Sequence, residues 1–503
     1  MPAGTAVRHA APSGRAPEAA PARPPDRRGP GLITFARGRW LRTIPGRIRA
    51  FVVVILIAIV ALLAVLAAAI GNARDSVQTI GHDAGPQVVA TGTLFSALSD
   101  MDAQVASVLL IGREHDLGIG HDGALGVYER RRSEAGAAAV QAAQLAGRDP
   151  HLRQRVQAVI DGLGRYERLV GEAMVLDRQS AHAAGEPPKQ VVDTYRRATD
   201  LMRLELLPQA YNLTLDSGAA VRQTYETKRT AVLTGRAWVA LTGVLVLLLL
   251  LAAQVYLARG FRRLVNPALA LATVAALALV GAGFAELSAQ AGHIKKAKMY
   301  GFDSVLALSR ARAISNSAFA DESRYLLDPG KADTYEQTYL DKSLAVIYPD
   351  LGDKPVNLES YYAGLEQQAG SYRPGKGDAP FLGFFGDEAS TVRPGREADA
   401  LGRTLQAYRA VQRNDQRIRQ LAGSGDRTGA IKLRMDRDRT IRDFNAYDAA
   451  LRSLTALHQG AFDSAIEAGD GGLRAWRVLP PAAALVIAAL TVAGVRPRLA
   501  EFR

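Results

Sequence analysis

The chain has no cysteine in 503 residues, which excludes disulfide, thiolate and iron–sulfur chemistry. Its eight histidines show no His-x-x-x-His or His-Glu-x-x-His spacing, so no standard zinc site is legible. His115-Asp116 and His121-Asp122 share one glycine-rich stretch, where a metal is the minor reading. No nucleophile–base–orienter set, Walker loop or kinase signature occurs. The one Gly-x-Gly-x-x-Gly, Gly118-Ile-Gly-His-Asp-Gly123, lacks the strand–turn–helix setting of a dinucleotide site and reads as a link between helices. No catalytic, cofactor-binding or metal-binding residue is therefore expected.

Charge is absent in a more telling way. Four runs, 51–70, 237–258, 268–285 and 478–495, hold 18 to 22 residues each without one charged residue. At about 1.5 Å per residue, each spans a hydrocarbon core of roughly 30 Å. The charge that remains is placed unevenly. Residues 1–50 carry ten arginines against Glu18 and Asp26, a net +8; 259–267 adds Arg259, Arg262 and Arg263, a net +3; 496–503 adds a net +2. Together these make up the whole +13 of the chain, and the two long segments cancel each other. Lys/Arg bias in short flanks sets orientation, so both termini and 259–267 are expected in the cytoplasm and the long segments outside. Anionic lipid is the nearer partner for these arginines, and nucleic acid is not expected.

The expected fold class is an all-α membrane protein: four transmembrane helices with two extracytoplasmic antiparallel helical bundles. Residues 1–50 form a basic cytoplasmic segment whose Pro/Ala/Arg-rich first 31 residues should be disordered. The spans are 51–70, 237–258, 268–287 and 478–495. The bundles are 71–236 and 288–477, the latter with an insertion at 349–397; 259–267 is a cytoplasmic hairpin loop and 496–503 a cytoplasmic tail. The first run exceeds a signal-peptide core, which favours a retained anchor. Asn266 suits an N-cap and Pro267 the first helical position.

Leu94, Leu98, Met101, Val105 and Leu109, and likewise Val191, Tyr195, Ala198, Met202 and Leu206, recur at spacings of three and four, the core stripe of a bundle helix. Breaks are expected near 118–123, 149–150 and 185–188, with a kink at Pro208. The second outer segment repeats sparse features of the first, as Leu326-Leu327 followed by Tyr335-Glu336 answers Leu109-Leu110 followed by Tyr128-Glu129, which points to a duplicated span–bundle–span unit. Only the second copy carries 349–397, a stretch rich in Gly, Pro, Tyr and Phe. Loops of that length inside a bundle are usually functional or disordered; the aromatics favour function, and Phe381, Phe384, Phe385, Glu388 and Arg393 are expected to anchor an extracytoplasmic partner. Asp321, Glu322, Arg324 and Tyr325 read either as a solvated face or as a further contact for a ligand or partner. Arg259, Arg262, Arg263, Asn266 and Pro267 form the candidate cytoplasmic output.

Several segments carry a family resemblance: Asp102-Ala-Gln-Val-Ala-Ser-Val-Leu-Leu110, Arg259-Gly-Phe-Arg-Arg-Leu-Val-Asn-Pro267, Asp321-Glu-Ser-Arg-Tyr-Leu-Leu-Asp-Pro329 and Gly386-Asp-Glu-Ala-Ser-Thr-Val-Arg-Pro-Gly-Arg-Glu-Ala398. With the span plan, they resemble the actinobacterial GlnX-type membrane proteins over roughly residues 40–500. The resemblance implies a non-enzymatic relay between an extracytoplasmic amino-acid-binding lipoprotein and the cytoplasmic Ser/Thr protein kinase G, serving control of nitrogen and carbon metabolism. The alternative is a chemoreceptor-like sensor whose outer bundles bind the small molecule themselves. Self-association as a homodimer stays open.

Overall fold

The computed structural model describes residues 44–500 apart from 115–116, 148, 262–265, 351, 353 and 376–377; the expected disordered start, Arg262 and Arg263 lie outside the described residues. The chain is helical almost throughout. Helix α1 (Ile44–Gln78) passes through a π-helical turn, Thr79–Ala84, into α2 (Gly85–Ile111). Helices α3 (Gly120–Leu145) and α4 (Pro150–Ser180) follow, then α5 (Lys189–Leu201), a second π turn at Met202–Leu206, and α6 (Leu207–Phe261). The second half opens in the same way: α7 (Pro267–Lys296), a π turn at Ala297–Phe302, and α8 (Asp303–Leu327). It closes with α9 (Ala332–Val346), α10 (Leu358–Ser371), α11 (Phe384–Thr391), α12 (Arg396–Gly423), α13 (Arg427–Met435), α14 (Thr440–Arg474) and α15 (Leu479–Ala500).

Four helical rods are long and apolar enough to cross a membrane: Gly46–Ile111, Lys189–Arg259, Pro267–Leu327 and Thr440–Pro497. Each continues far past its uncharged run; the 66 residues of the first amount to about 100 Å of helix. Within the spans a seam of Ile55, Ile59, Leu62, Val239, Val246, Leu250, Leu269, Ala272, Ala276 and Ile487 is buried, while Ile57, Val60, Leu241, Leu248, Val274 and Leu485 are all more than half exposed. One face thus packs against the other spans and the opposite face is an apolar belt of the kind lipid covers. Asn266 caps α7 as expected, its Oδ1 accepting from the Leu269 N–H at 3.4 Å, and its Nδ2 donates to the Gly494 carbonyl at 2.6 Å.

Beyond the spans the helices of the two expected bundles share their cores. Helices α2 and α8, one from each half, pack along each other. The core around α2 includes Ala313, Leu326 and Leu327 of α8, Ile418 of α12, and Ala430, Ile431 and Met435 of α13. Helix α2 is consequently buried on nearly every face and not along one stripe. A second core, formed mainly by α8 to α12 and α14, fills the other side. The helix breaks fall where glycine and proline placed them. The π turn at Met202–Leu206 lies directly before Pro208 and shifts the hydrogen-bond register where that proline lacks an N–H.

The insertion at 349–397 is also folded, contrary to its reading as a loop. It forms α10, α11 and a two-residue strand pair in which Tyr348 and Pro349 face Leu382 and Phe381. Phe381 and Phe385 are 1% and 0% exposed and close the second core edge-on to Tyr372 and to Tyr408 and Tyr447.

The first and third π turns, with Gly85 just after the first, both pack against α14. A Cβ at Gly81 would lie 2.5 Å from Ile466, one at Gly85 2.8 Å from Phe462, and one at Gly301 2.6 Å from Phe462. Only glycine permits this approach. His82 Nε2 meets Asp470 at 3.1 Å, and His458 Nδ1 meets the Tyr300 carbonyl at 2.8 Å. One helix, leading directly to the fourth span, therefore holds both turns.

Candidate functional site

Helix α2 contains two ionisable residues, Asp100 and Asp102, and no cation. A carboxylate on a helix buried all round must find its counter-ion elsewhere. Asp100 takes Arg131 of α3 at 2.6 Å. Asp102 takes Arg324 of α8, and that guanidinium also pairs with Asp321 and donates through Nε to the Tyr195 hydroxyl at 3.2 Å. Tyr166 and Thr199 donate to Asp102 at 2.8 and 3.1 Å, and Lys342 pairs with Asp321. Burial alone would raise the Asp321 pKa, but the charges of Lys342 and Arg324 hold it below the usual carboxylate value. Arg324, Asp102 and Asp321 are all 0% exposed, so the centre of the head is a sealed ionic cluster joining the two halves.

A second cluster lies one turn away. Glu322 faces Arg434 at 3.1 Å, and Arg434 stacks on Phe319 and donates to its carbonyl at 3.0 Å. Burial, reinforced by the negative charge of Asp415, pushes Glu322 up to about 8. Arg419 pairs with Asp415 at 2.9 Å and stacks between Tyr325 and Tyr339. A cavity of about 10 Å³, lined by Ser315, Glu322, Tyr339, Ser343, Tyr408 and Tyr447 among others, has room for a single water.

These positions correct the sequence reading of the site. Asp321, Glu322 and Arg324 form neither a solvated face nor an open contact surface; they are interior, and Tyr325 is half-buried against Arg419. Phe381, Phe385 and Glu388 are interior as well and Phe384 is half-buried, because the aromatic stretch packs into the second core. Glu388 pairs with His458 at 2.5 Å. Arg393 is exposed, paired with Glu397 and set over the Tyr300 ring. Arg259 is exposed at the end of α6, and Asn266 and Pro267 open α7. No site role fell to Asp102, Tyr166, Tyr195, Arg419, Arg434 or His458 in the sequence reading. For Asp102 the signal was present: a carboxylate beside a buried stripe in a helix without a cation.

Four membrane-length helices extend into one helical head with charge buried at the junction of its halves, as in a multi-pass helical membrane protein. Residues 76–226, from the end of α1 into α6, match a family described as an actinobacterial sensor domain. That match supports a sensing role. No curated protein and no solved structure matches the chain.

Proposed function

We propose that the protein is a non-enzymatic transmembrane signal relay. Its head lies outside the membrane and captures an amino-acid-binding lipoprotein; the short basic loop 259–267 and both termini lie in the cytoplasm, where a Ser/Thr kinase reads the state of the helices. The observation that carries this reading is the continuity of the rods. No loop separates the spans from the sensor-like head, so a displacement in the head is delivered along stiff helix to the inner hairpin. The charge bias of the flanks supports the orientation, and the GlnX-type resemblance supplies the partners.

The interior placement of Phe381 and Phe385 leaves the outer rim of the insertion as the docking surface, where Val356 and Leu382 are 82% and 59% exposed. The test is capture of the binding lipoprotein by the full chain in nanodiscs, with the kinase response measured in cells. Val356→Asp with Leu382→Asp should abolish capture without unfolding the head. Arg262→Gln with Arg263→Gln should leave capture intact and silence the kinase response. Undiminished capture by the first variant would remove the rim from the reading, and a normal kinase response in the second would return the loop to a purely topological role.

A further inference from the structure

A cleft of about 330 Å³ opens between α6, the π turn with the start of α8, and α11, lined by Arg222, Met299, Asp303, Arg310, Asp387 and Glu388 among others. It is separate from both ionic clusters, and three buried polar atoms on its lining residues have no partner within the fold. Arg310 keeps Nε and Nη2 buried without a partner. Burial together with the like charge of Arg222 lowers its pKa, eased by Tyr211, whose ring lies 5.4 Å away. Arg222, on α6, is exposed, and no ion pair reaches it among the described residues. On the α11 side, Glu388 is 1% exposed and uses only Oε1 for His458, leaving Oε2 buried and without a partner. Asp387 beside it is exposed, and Ser390 and Thr391 add hydroxyls. Asp303 is engaged by Lys298 at 3.0 Å.

Arg222 and Arg310 thus line one cleft together with Asp387 and Glu388, and Arg310 Nε and Nη2 and Glu388 Oε2 are left there without partners. We infer that this cleft binds a small zwitterion, with its carboxylate on Arg222 and Arg310 and its ammonium on Asp387 and Glu388. A forked guanidinium pair suits a carboxylate, and a buried carboxylate oxygen without a donor suits an ammonium. A bound zwitterion would bridge α6, the α7–α8 rod and α11, two of which run directly into spans. The inference deepens the sensing reading by placing a ligand on this chain itself, and it is decided by binding alone, whatever the kinase does.

The test uses the full chain in nanodiscs and ligand-dependent thermal shift. The probes are the α-amino acids from glycine to tryptophan and 4-aminobutanoate, with butanoate and butylamine as single-charge controls. At least one zwitterion should bind saturably and about tenfold or more tightly than either control, a difference of about 1.4 kcal/mol. Arg222→Gln and Asp387→Asn, both exposed and outside the core, should each weaken that binding about tenfold while leaving the ligand-free melting temperature unchanged. Saturable binding of no zwitterion up to about 10 mM, where even contacts worth about 3 kcal/mol would register, would overturn the inference. So would equal binding of butanoate, which would reduce the cleft to an anion site, or binding indifferent to Arg222→Gln. Loss of the kinase response with zwitterion binding intact would count against the relay and not against the cleft.

Discussion

At the scale of single residues, the head depends on charges that have been taken out of water. Arg324 answers Asp102 and Asp321 together, so its removal leaves two buried carboxylates short of a partner. Arg324→Met should therefore destabilise the protein by about 3–5 kcal/mol, and Arg324→Lys should not restore it, because an ammonium cannot fork between two carboxylates. Denaturant unfolding of the detergent-solubilised protein measures both. A pH dependence follows from the buried histidines. Burial would lower the His458 pKa, but the hydrogen bond and charge of Glu388, with the Tyr300 carbonyl, raise it above its ordinary value on balance; His182 is raised in the same way by Asp177. A histidine raised in the folded state contributes its full stabilisation below its unfolded pKa of about 6.5 and loses it as pH climbs through the folded value. Glu322, favouring its neutral form up to about 8, likewise costs stability as pH rises from its unfolded value. The melting temperature should therefore fall from pH 6.5 towards 9, and His458→Gln and Glu322→Gln should each remove part of the slope.

At the scale of elements, the first and third π turns are the points at which their rods are held. Both lie a few turns beyond an uncharged run, and both are pressed against α14 through glycines. At Gly301 the nearest atoms to an added Cβ belong to the Phe462 Cβ and backbone, which cannot swing aside as a side-chain tip could. Gly301→Ala should cost about 1–3 kcal/mol by overpacking. Gly292→Ala, on the same rod with nothing within 4 Å of its Cβ, should be neutral or stabilising by up to about 1 kcal/mol, because alanine is the better helix former. Paired unfolding curves of the two variants separate a packing constraint at the π turn from a general effect of altering glycines in a long helix.

At the scale of the whole molecule, four rods share one head, so each span is mechanically tied to every other. The absence of cysteine makes their orientation directly measurable. In intact cells a membrane-impermeant maleimide should label Val356→Cys, on the 82% exposed rim of the insertion, and should leave Arg259→Cys unlabelled until the membrane is opened. Labelling of Arg259→Cys from outside would invert the topology and with it the relay. The same fused head means that a change at the α6–α8–α11 cleft cannot stay within one half. Helix α6 belongs to the first half and α8 to the second, and the two halves share the α2–α8 core.

The sequence by itself determined the features that are local or periodic. Uncharged runs of span length, the helix breaks at glycine and proline, and the Asn266-Pro267 start of α7 are each written in a few consecutive residues, because hydropathy, backbone freedom and capping act over one or two turns. The stripe from Leu94 to Leu109 told which helix is buried but not by how many neighbours. Only the tertiary structure decided the rest. It merged the two expected bundles through α2 and α8, and it turned Asp321, Glu322 and Arg324 from a surface motif into an interior one. It also enclosed Phe381 and Phe385, and drew Arg222, Arg310, Asp387 and Glu388 to one cleft. Asp102 and Arg324 are 222 residues apart, and no spacing rule links positions so distant. Their pairing is fixed by which helices share a core, and that follows from the joint packing of all four rods.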